Sequence, residues 1–556
     1  MVFFCLWHEV SLAHFICWHT LCAPSHGTLT DCIIFRHVTS RDEQGSRIDD
    51  IAAWKQEQDP AFKSFNKNTM GIDRYTNPLL VICIAWCFIE ILFALVFYYW
   101  IIPKANKILD PAPYRDYGRD RHKLLLRILR RIERTCHGED VQKTILNILQ
   151  DWFHTTPLNR DFVGDENSSI ASTSPENSSD EDDDNDNDDV VGNNKTEPSN
   201  CLYKEDMDDF LAWAFFGKHM SSLIEWEQEE LAHLYEILQS YRLSFPSRTS
   251  TPKDRFFYEC KPRKMSLEPV NALYRPLLVY VAVFCLKVVG GIILHLYGYR
   301  RFVSTTGLVV WHRPAIKNQK NSLLPMLFFH GIAPTGLVLY LPMLLGALAT
   351  EPERPIFLIE NHSISCTLDF KPLSEQETVD GVMELLARFQ LQNSNLSLVG
   401  HSFGSCPITW ILASNRLPNV RQVVLLDPVA ILLSEHDVMV NFLYAEELDK
   451  IRMLASSELF TEKYLRRHFA WYNSELWLDT HIDKERCQVL ICIAEKDEII
   501  NAAKVKREIL RHSIGKLVYW TDVGHGDCIT SPTKWKQIKT TMLEQELRIV
   551  RAVRSQ

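Results

Sequence analysis

Gly400-His401-Ser402-Phe403-Gly404 is the segment of this sequence best suited to chemistry. A short apolar run, 396–399, leads into it, and an apolar stretch at helical spacing, 406–412, comes after it. A serine between two glycines at a strand-to-helix turn can be presented as a nucleophile. Gly400 and Gly404 suit such a turn because a Cβ at either place would meet neighbouring backbone. The N-terminus of the next helix favours developing negative charge. The pattern alone is loose, and its place between strand and helix gives it weight. His401, inside the turn, reads as a packing neighbour.

A serine nucleophile needs a base, and the base needs an acid to orient it. His525 sits between Gly524 and Gly526, after the apolar run 517–520 and before the helical stretch 534–553. A histidine flanked by glycines on a loop is a poor core residue and a good base. Asp497, in Ala494-Glu495-Lys496-Asp497-Glu498-Ile499, is the favoured acid, because Ser402, Asp497 and His525 then run in the order Ser, Asp, His. Glu495 and Glu498 would serve in a shifted register. Asp427, before Pro428, is a further competitor, but a turn-making role suits it better. In this scheme His525 takes the Ser402 proton, Ser402 attacks an acyl carbonyl, and Asp497 fixes the imidazole tautomer. Water or an alcohol then resolves the acyl-enzyme. A serine in that place excludes epoxide and haloalkane hydrolysis, which need a carboxylate nucleophile. No dinucleotide, phosphate-loop or metal motif is present, so neither cofactor nor metal is expected.

These residues need a scaffold. From about residue 325 short apolar runs (326–329, 356–359, 396–399, 423–426, 489–494 and 517–520) alternate with helical stretches such as 375–389. That alternation predicts a mostly parallel sheet with flanking helices, an α/β fold. About sixty residues, 428–487, separate two of the runs, far more than a usual connection. The segment is rich in large side chains, among them Phe442, Tyr444, Phe460, Tyr464, Phe469, Trp471 and Trp477. It reads as a helical cap over the serine, a role compatible with a purely structural insert.

At the end of the first run stands Phe328-Phe329-His330-Gly331-Ile332-Ala333. With this His-Gly pair the chain resembles the α/β-hydrolase superfamily over about residues 325–553. The resemblance implies an α/β-hydrolase fold with a cap insert, and an oxyanion hole made by the backbone N–H groups of Ile332 and Phe403. A narrower resemblance reaches back to the apolar run at Leu79. It rests also on 210–216, 274–280, 307–311 and Arg466-Arg467-His468-Phe469-Ala470-Trp471. On these segments the chain is similar to a group of membrane-bound α/β-hydrolases of fungi and other microbial eukaryotes. No substrate can be drawn from that likeness.

The rest of the chain bears on location. Residues 79–102 are apolar apart from Glu90 and bounded by Pro78 and Pro103. About 24 residues at 1.5 Å each cover the roughly 30 Å hydrocarbon core, so a transmembrane helix is expected. Lys104, Lys107 and the basic cluster Lys123, Arg127, Arg130, Arg131 and Arg134 come after it. The asymmetry puts its C-terminal side in the cytosol, and the catalytic domain stays on that side, the favoured reading, only where the second apolar run does not cross. A second apolar run, 277–297, is interrupted by Lys287 and His295. It would either cross the membrane or lie in one leaflet, and association without full crossing is preferred.

The formal charge of −10 owes −8 to the acidic run between Asp180 and Asp189, so the remainder is near −2 and nucleic acid is not a partner. The 15 cysteines are scattered with no C-x-x-C pair, which argues against a disulfide scaffold or zinc site and favours a reducing compartment. No positive segment precedes the apolar start 2–6, which weighs against a signal peptide. The expected organisation has a poorly defined segment 1–78, a transmembrane helix 79–102, a helical basic segment 103–162 and a disordered acidic linker 163–203. A helical membrane-associated region 204–300 comes next, and then the hydrolase domain 301–556.

The function expected is that of an integral membrane serine hydrolase, partnered by the lipid bilayer and cleaving small acyl-ester or lipid substrates. Acyl transfer through the same intermediate is the alternative, disfavoured because no H-x-x-x-x-D pattern surrounds His330 or His525. A non-catalytic membrane scaffold is disfavoured by the intact Ser, His and Asp set.

Overall fold

The computed structural model describes residues 78–111, 121–136, 140–157, 202–248, 258–315, 323–445 and 452–554. The acidic linker and the N-terminal segment otherwise lie outside the described residues. The chain divides into two units, 1–83 and 84–556. Of the first, the described residues 78–83 are the opening turns of a helix, and the second holds all the other described residues.

Helix α1, Pro78–Val96, continues through a wider π turn, Phe97–Ile101, and a last turn, Ile102–Ala105. Its middle is apolar and exposed, Phe88 at 75%. Phe97, Ile101 and Ala105, by contrast, are buried in a cluster with Val270, Tyr280 and Phe460. Helix α2 covers Arg121–Thr135 and α3 covers Val141–Gln150. The apolar pattern predicts one helix from Leu124 to Phe153, and the structure corrects this. Asp140 accepts a hydrogen bond from Gln142 N and so caps a fresh start. The last residues become strand β1, Phe153–Pro157.

Helices α4, Lys204–Phe216, and α5, Glu225–Ser240, come next. Strand β2, Tyr258–Pro262, then pairs antiparallel with β1. Helix α6 is Leu277–Leu296. Tyr280, Val283, Gly290 and Leu294 bury one of its faces at the helical spacing. Lys287, on the same face, donates to Ser365 O at 2.6 Å and to Thr367 Oγ1. The opposite face is apolar and exposed, with Phe284 at 66% and Leu296 at 77%. Both α1 and α6 belong to helical stretches long and apolar enough to cross a membrane.

An eight-stranded sheet forms the core of the remainder. In chain order its strands are β3 Arg300–Val303, β4 Val309–Arg313, β5 Met326–Phe329, β6 Ile356–Glu360, β7 Leu396–His401, β8 Val420–Leu426, β9 Gln488–Ala494 and β10 Lys516–Trp520. In space the order is β10-β9-β8-β7-β5-β6-β4-β3. The last six in chain order pair in parallel, while β3 and β4 form an antiparallel edge. Central strands buried on both faces read as continuous apolar runs. Strand β7 is buried at every position.

Among the connecting helices are α7 Glu375–Arg388, α8 Ser405–Ala413, α9 Asp437–Leu443, α10 Leu459–Arg467, α11 Ala502–His512 and α12 Pro532–Arg554. One apolar cluster joins α7, α8 and α11 to the sheet, and another joins α12 and the 337–349 segment. Helix α12 is also fixed by a buried pair, in which Arg354 donates to both Glu546 oxygens at 2.5 and 2.6 Å.

The insert between β8 and β9 is helical, and much of its bulk is spent on joints. Arg467 donates to the carbonyls of Ala105, Ser266 and Glu268. Phe460 packs in the α1–α6 cluster.

Candidate active site

Strand β7 delivers Ser402 at a sharp turn. The residue has φ 51°, a left-handed conformation uncommon for a side chain other than glycine. Such strain is what a strand-to-helix elbow requires. A Cβ on Gly404 would stand 2.2 Å from Phe329 O, so only glycine lets the turn pack against β5.

His525 lies on the loop after β10, and its Nε2 is 2.9 Å from Ser402 Oγ. Its Nδ1 is 2.7 Å from Asp497 Oδ2, on the loop after β9. A carboxylate only accepts, so the imidazole proton sits on Nδ1 and Nε2 accepts from the serine hydroxyl. Asp497 is held in turn, its Oδ1 accepting from Ile499 N at 2.8 Å and Ile500 N at 2.9 Å. Burial lowers the affinity of His525 for a proton, but the Asp497 hydrogen bond and charge, backed by Asp427 and Glu498, leave it raised above the ordinary value.

The three other carboxylates near these loops do different work. Glu498 accepts from His525 N at 2.8 Å and Glu495 from Asp522 N at 3.1 Å, so both brace the loop backbone. Asp427 is fully buried. Its Oδ1 accepts from Ala494 N at 2.8 Å, at the end of β9, and its Oδ2 from Gly526 N at 3.1 Å. It therefore ties the strand that carries Asp497 to the loop that carries His525. Burial, partly offset by the charge of His525, pushes its carboxyl up to about 6.

The far side of the serine is equally constrained. Gly331 passes so close that a Cβ there would lie 2.8 Å from Ser402 Cβ. His330 Nε2 accepts from Asn361 N at 3.0 Å, so its Nδ1–H donates to Gly331 O at 2.7 Å. In a trans peptide the N–H points opposite to the carbonyl. Fixing Gly331 O thus aims Ile332 N–H the other way. Burial drives the His330 imidazole down to about 4, so it stays neutral in this role.

Tyr340 OH accepts from Gly331 N and donates to His401 Nδ1, each at 2.9 Å. His401 therefore carries its proton on Nε2, which faces Asp427 Oδ2 at 3.9 Å. Burial, and then the charge of His525, holds His401 well below its ordinary value. The sequence offered no signal for Tyr340.

His401, Asp427 and Cys528 bring three metal-type ligand atoms within 4.8 Å of one another. Burial keeps the Cys528 thiol protonated, and Asp427 already accepts from Ala494 N, Gly526 N and Cys528 Sγ. The set reads as hydrogen-bonded packing behind the site.

A cavity of about 230 Å³ lies against Phe403 and His330. Leu308, Phe329, Ile359, Leu373, Pro407 and Trp410 give it an apolar wall, and Glu360, His362 and Asp369 a polar one. From the insert, Tyr464 and Phe469 approach Phe403, with ring centres 5.9 and 5.6 Å away.

The strand order, the antiparallel edge, the elbow after β7 and the loops after β9 and β10 together are the α/β-hydrolase fold. No family model matches the sequence, and no curated protein is similar to it. Among solved structures, an esterase from the archaeon Pyrobaculum calidifontis is similar at 12% identity, covering 49% of this chain and 92% of its own, with a TM-score of 0.35. A bacterial membrane phospholipase A shares 12% identity over 48% of this chain and 93% of its own, with a TM-score of 0.33. A carboxylesterase from Bacillus subtilis shares 12% identity over 48% and 98%, with a TM-score of 0.31.

Proposed function

We propose that this chain is a membrane-attached serine hydrolase that cleaves carboxylic esters, with lipid-like acyl esters as its substrate class. The observation that carries the reading is the relay from Ser402 Oγ through His525 to Asp497, at 2.9 and 2.7 Å. In the first half-reaction the Ser402 proton passes to His525 Nε2 as Oγ bonds the ester carbonyl carbon. The carbonyl oxygen, now an oxyanion, is met by Ile332 N–H and Phe403 N–H. Collapse expels the alcohol, which takes the proton from His525, and leaves an acyl-Ser402. Water activated by the same imidazole then releases the acid. Asp497 stabilises the imidazolium in both halves without taking its proton.

Two features support the lipid-like substrate. The cavity beside Phe403 has an apolar wall, and α1 and α6 expose apolar faces suited to a bilayer. Because α6 lies lengthwise on the domain, with Lys287 bonded to Ser365 O, it resides in the membrane surface without crossing. The basic residues after α1 favour the cytosolic face.

Fluorophosphonate labelling of membranes holding wild type and Ser402→Ala tests the nucleophile. Label is expected on wild type alone, and label surviving the substitution removes Ser402 from the role. A p-nitrophenyl ester series tests the substrate class. Turnover is expected to rise with acyl length, and a preference for acetate would defeat the lipid reading.

A further inference from the structure

Helix α2 turns a row of cations toward the catalytic domain. Lys123, Arg127, Arg130 and Arg134, at i, i+4, i+7 and i+11, share one helix face. They line a cleft of about 290 Å³ whose far wall comes from the insert and the end of α11. Neither Ser402, Asp497 nor His525 borders it.

Six Lys or Arg side chains line this cleft against two carboxylates, Asp479 and Glu508. Some of that charge is matched. Arg127 is paired with Asp479, Arg511 donates to Glu508 at 2.6 Å, and Arg131, behind the row, is paired with Glu475. Arg130 and Arg134 make no ion pair among the described residues. A surplus of charge on an exposed helix is ordinarily just a solvated face.

A second observation argues for more. Trp477 forms part of the wall, with the guanidinium of Arg127 4.2 Å from its ring centre and that of Arg131 at 5.1 Å. Its Nε1–H is buried without an acceptor, and so is Arg131 Nε. Both atoms are closed to solvent, so what the cleft offers a ligand is its cations: Arg130 and Arg134 share one concave space with Lys123, Arg127 and Arg511, and an anion matches that set.

We propose that this cleft binds a phosphate-bearing anion. A phosphate group offers three acceptor oxygens and up to two charges, which suits convergent arginine forks better than a single carboxylate does. The phosphate could be a lipid headgroup or part of a soluble molecule, and the chemistry recognised is the same.

The test uses the full chain in detergent micelles. The probes are pyrophosphate, inositol trisphosphate and dioctanoyl phosphatidylinositol bisphosphate, each against potassium chloride of equal ionic strength. At least one probe is expected to raise the melting temperature and bind saturably. Arg130→Glu combined with Arg134→Glu should weaken that binding about tenfold or more. Trp477→Leu, which removes the ring that positions Arg127, should also weaken it.

Binding of the soluble probes points to a soluble ligand, and binding of the lipid probe alone points to a headgroup. Either upholds the proposal. No binding beyond the salt control, or unchanged affinity in either variant, overturns it. Fluorophosphonate labelling of Ser402 in the double variant should match wild type, so failure here leaves the hydrolase reading untouched.

Discussion

Asp427 and Gly526 are joined by a 3.1 Å hydrogen bond from the Gly526 N–H to Asp427 Oδ2, across 99 residues of chain. The other Asp427 oxygen holds Ala494 N. One side chain thus sets the distance between the loops bearing Asp497 and His525. Asp427→Asn offers a single acceptor oxygen, so one of the two donors loses its partner. Displacing a reacting group by about 1 Å can cost on the order of 10²-fold. Fluorophosphonate labelling of the variant should slow by that order and not be abolished. A wild-type labelling rate would reduce Asp427 to packing.

In the proposed reaction His330 would act on the oxyanion side through its hydrogen bond to Gly331 O. His330→Ala frees that peptide to rotate, and Ile332 N–H loses its aim. Because the donor matters most when charge has developed, kcat should fall by about 10²-fold with KM little changed. Ester kinetics in detergent distinguish this from a rise in KM alone.

The pH profile is set by the charge around His525. Burial lowers its proton affinity, but the Asp497 hydrogen bond and charge outweigh burial and raise it. Only the neutral imidazole can take the serine proton, so activity is lost as pH falls through the raised value. The acid limb of kcat/KM should therefore lie above about 6.5, the value for a free imidazole. Asp497→Asn removes the carboxylate charge that helps to raise it. The limb should move to lower pH while kcat falls on the order of 10⁴-fold.

Glu90 is the one charged side chain in the apolar run of α1. It accepts from Leu277 N and Leu278 N, both at 2.9 Å, which are open donors at the start of α6. Glu90→Leu leaves both part-buried donors without their acceptor, at about 1 kcal/mol each, while Glu90→Gln keeps one oxygen. Thermal unfolding in detergent should rank wild type above Glu90→Gln and that above Glu90→Leu. Equal midpoints would show that the joint contributes nothing.

Arg354 and Glu546 are buried almost completely and pair at 2.5 Å. Removing one partner strands a charge, so Arg354→Ala should cost about 3–5 kcal/mol. Arg354→Leu with Glu546→Leu should recover most of it, read as the shift in unfolding midpoint of single against double variant.

The six parallel strands were legible because each is a short apolar run between turn residues, and buried strands leave that mark. The antiparallel edge was not. Arg300 and Arg301 of β3 look like the basic flank of a membrane segment, and Trp311-His312-Arg313 of β4 alternates too weakly to stand out.

At the site, Ser402, Asp497 and His525 could be read from chain order and from the loops that end β7, β9 and β10. What Asp427, His330 and Glu498 do could not, since their partners are backbone N–H and C=O groups that every residue carries. Glu90 was visible as an exception in its run, yet its partners lie almost two hundred residues away.

Helix α6 runs into the central sheet with almost no slack. Only residues 297–299 separate it from β3, and Tyr299 among them is completely buried. In the proposed membrane-attached enzyme, a surface that takes up the outer face of the helix would therefore set the tilt and height of the sheet within three residues. Turnover would track how densely substrate is packed in that surface, a two-dimensional crowding, and not the molarity of the surrounding solution.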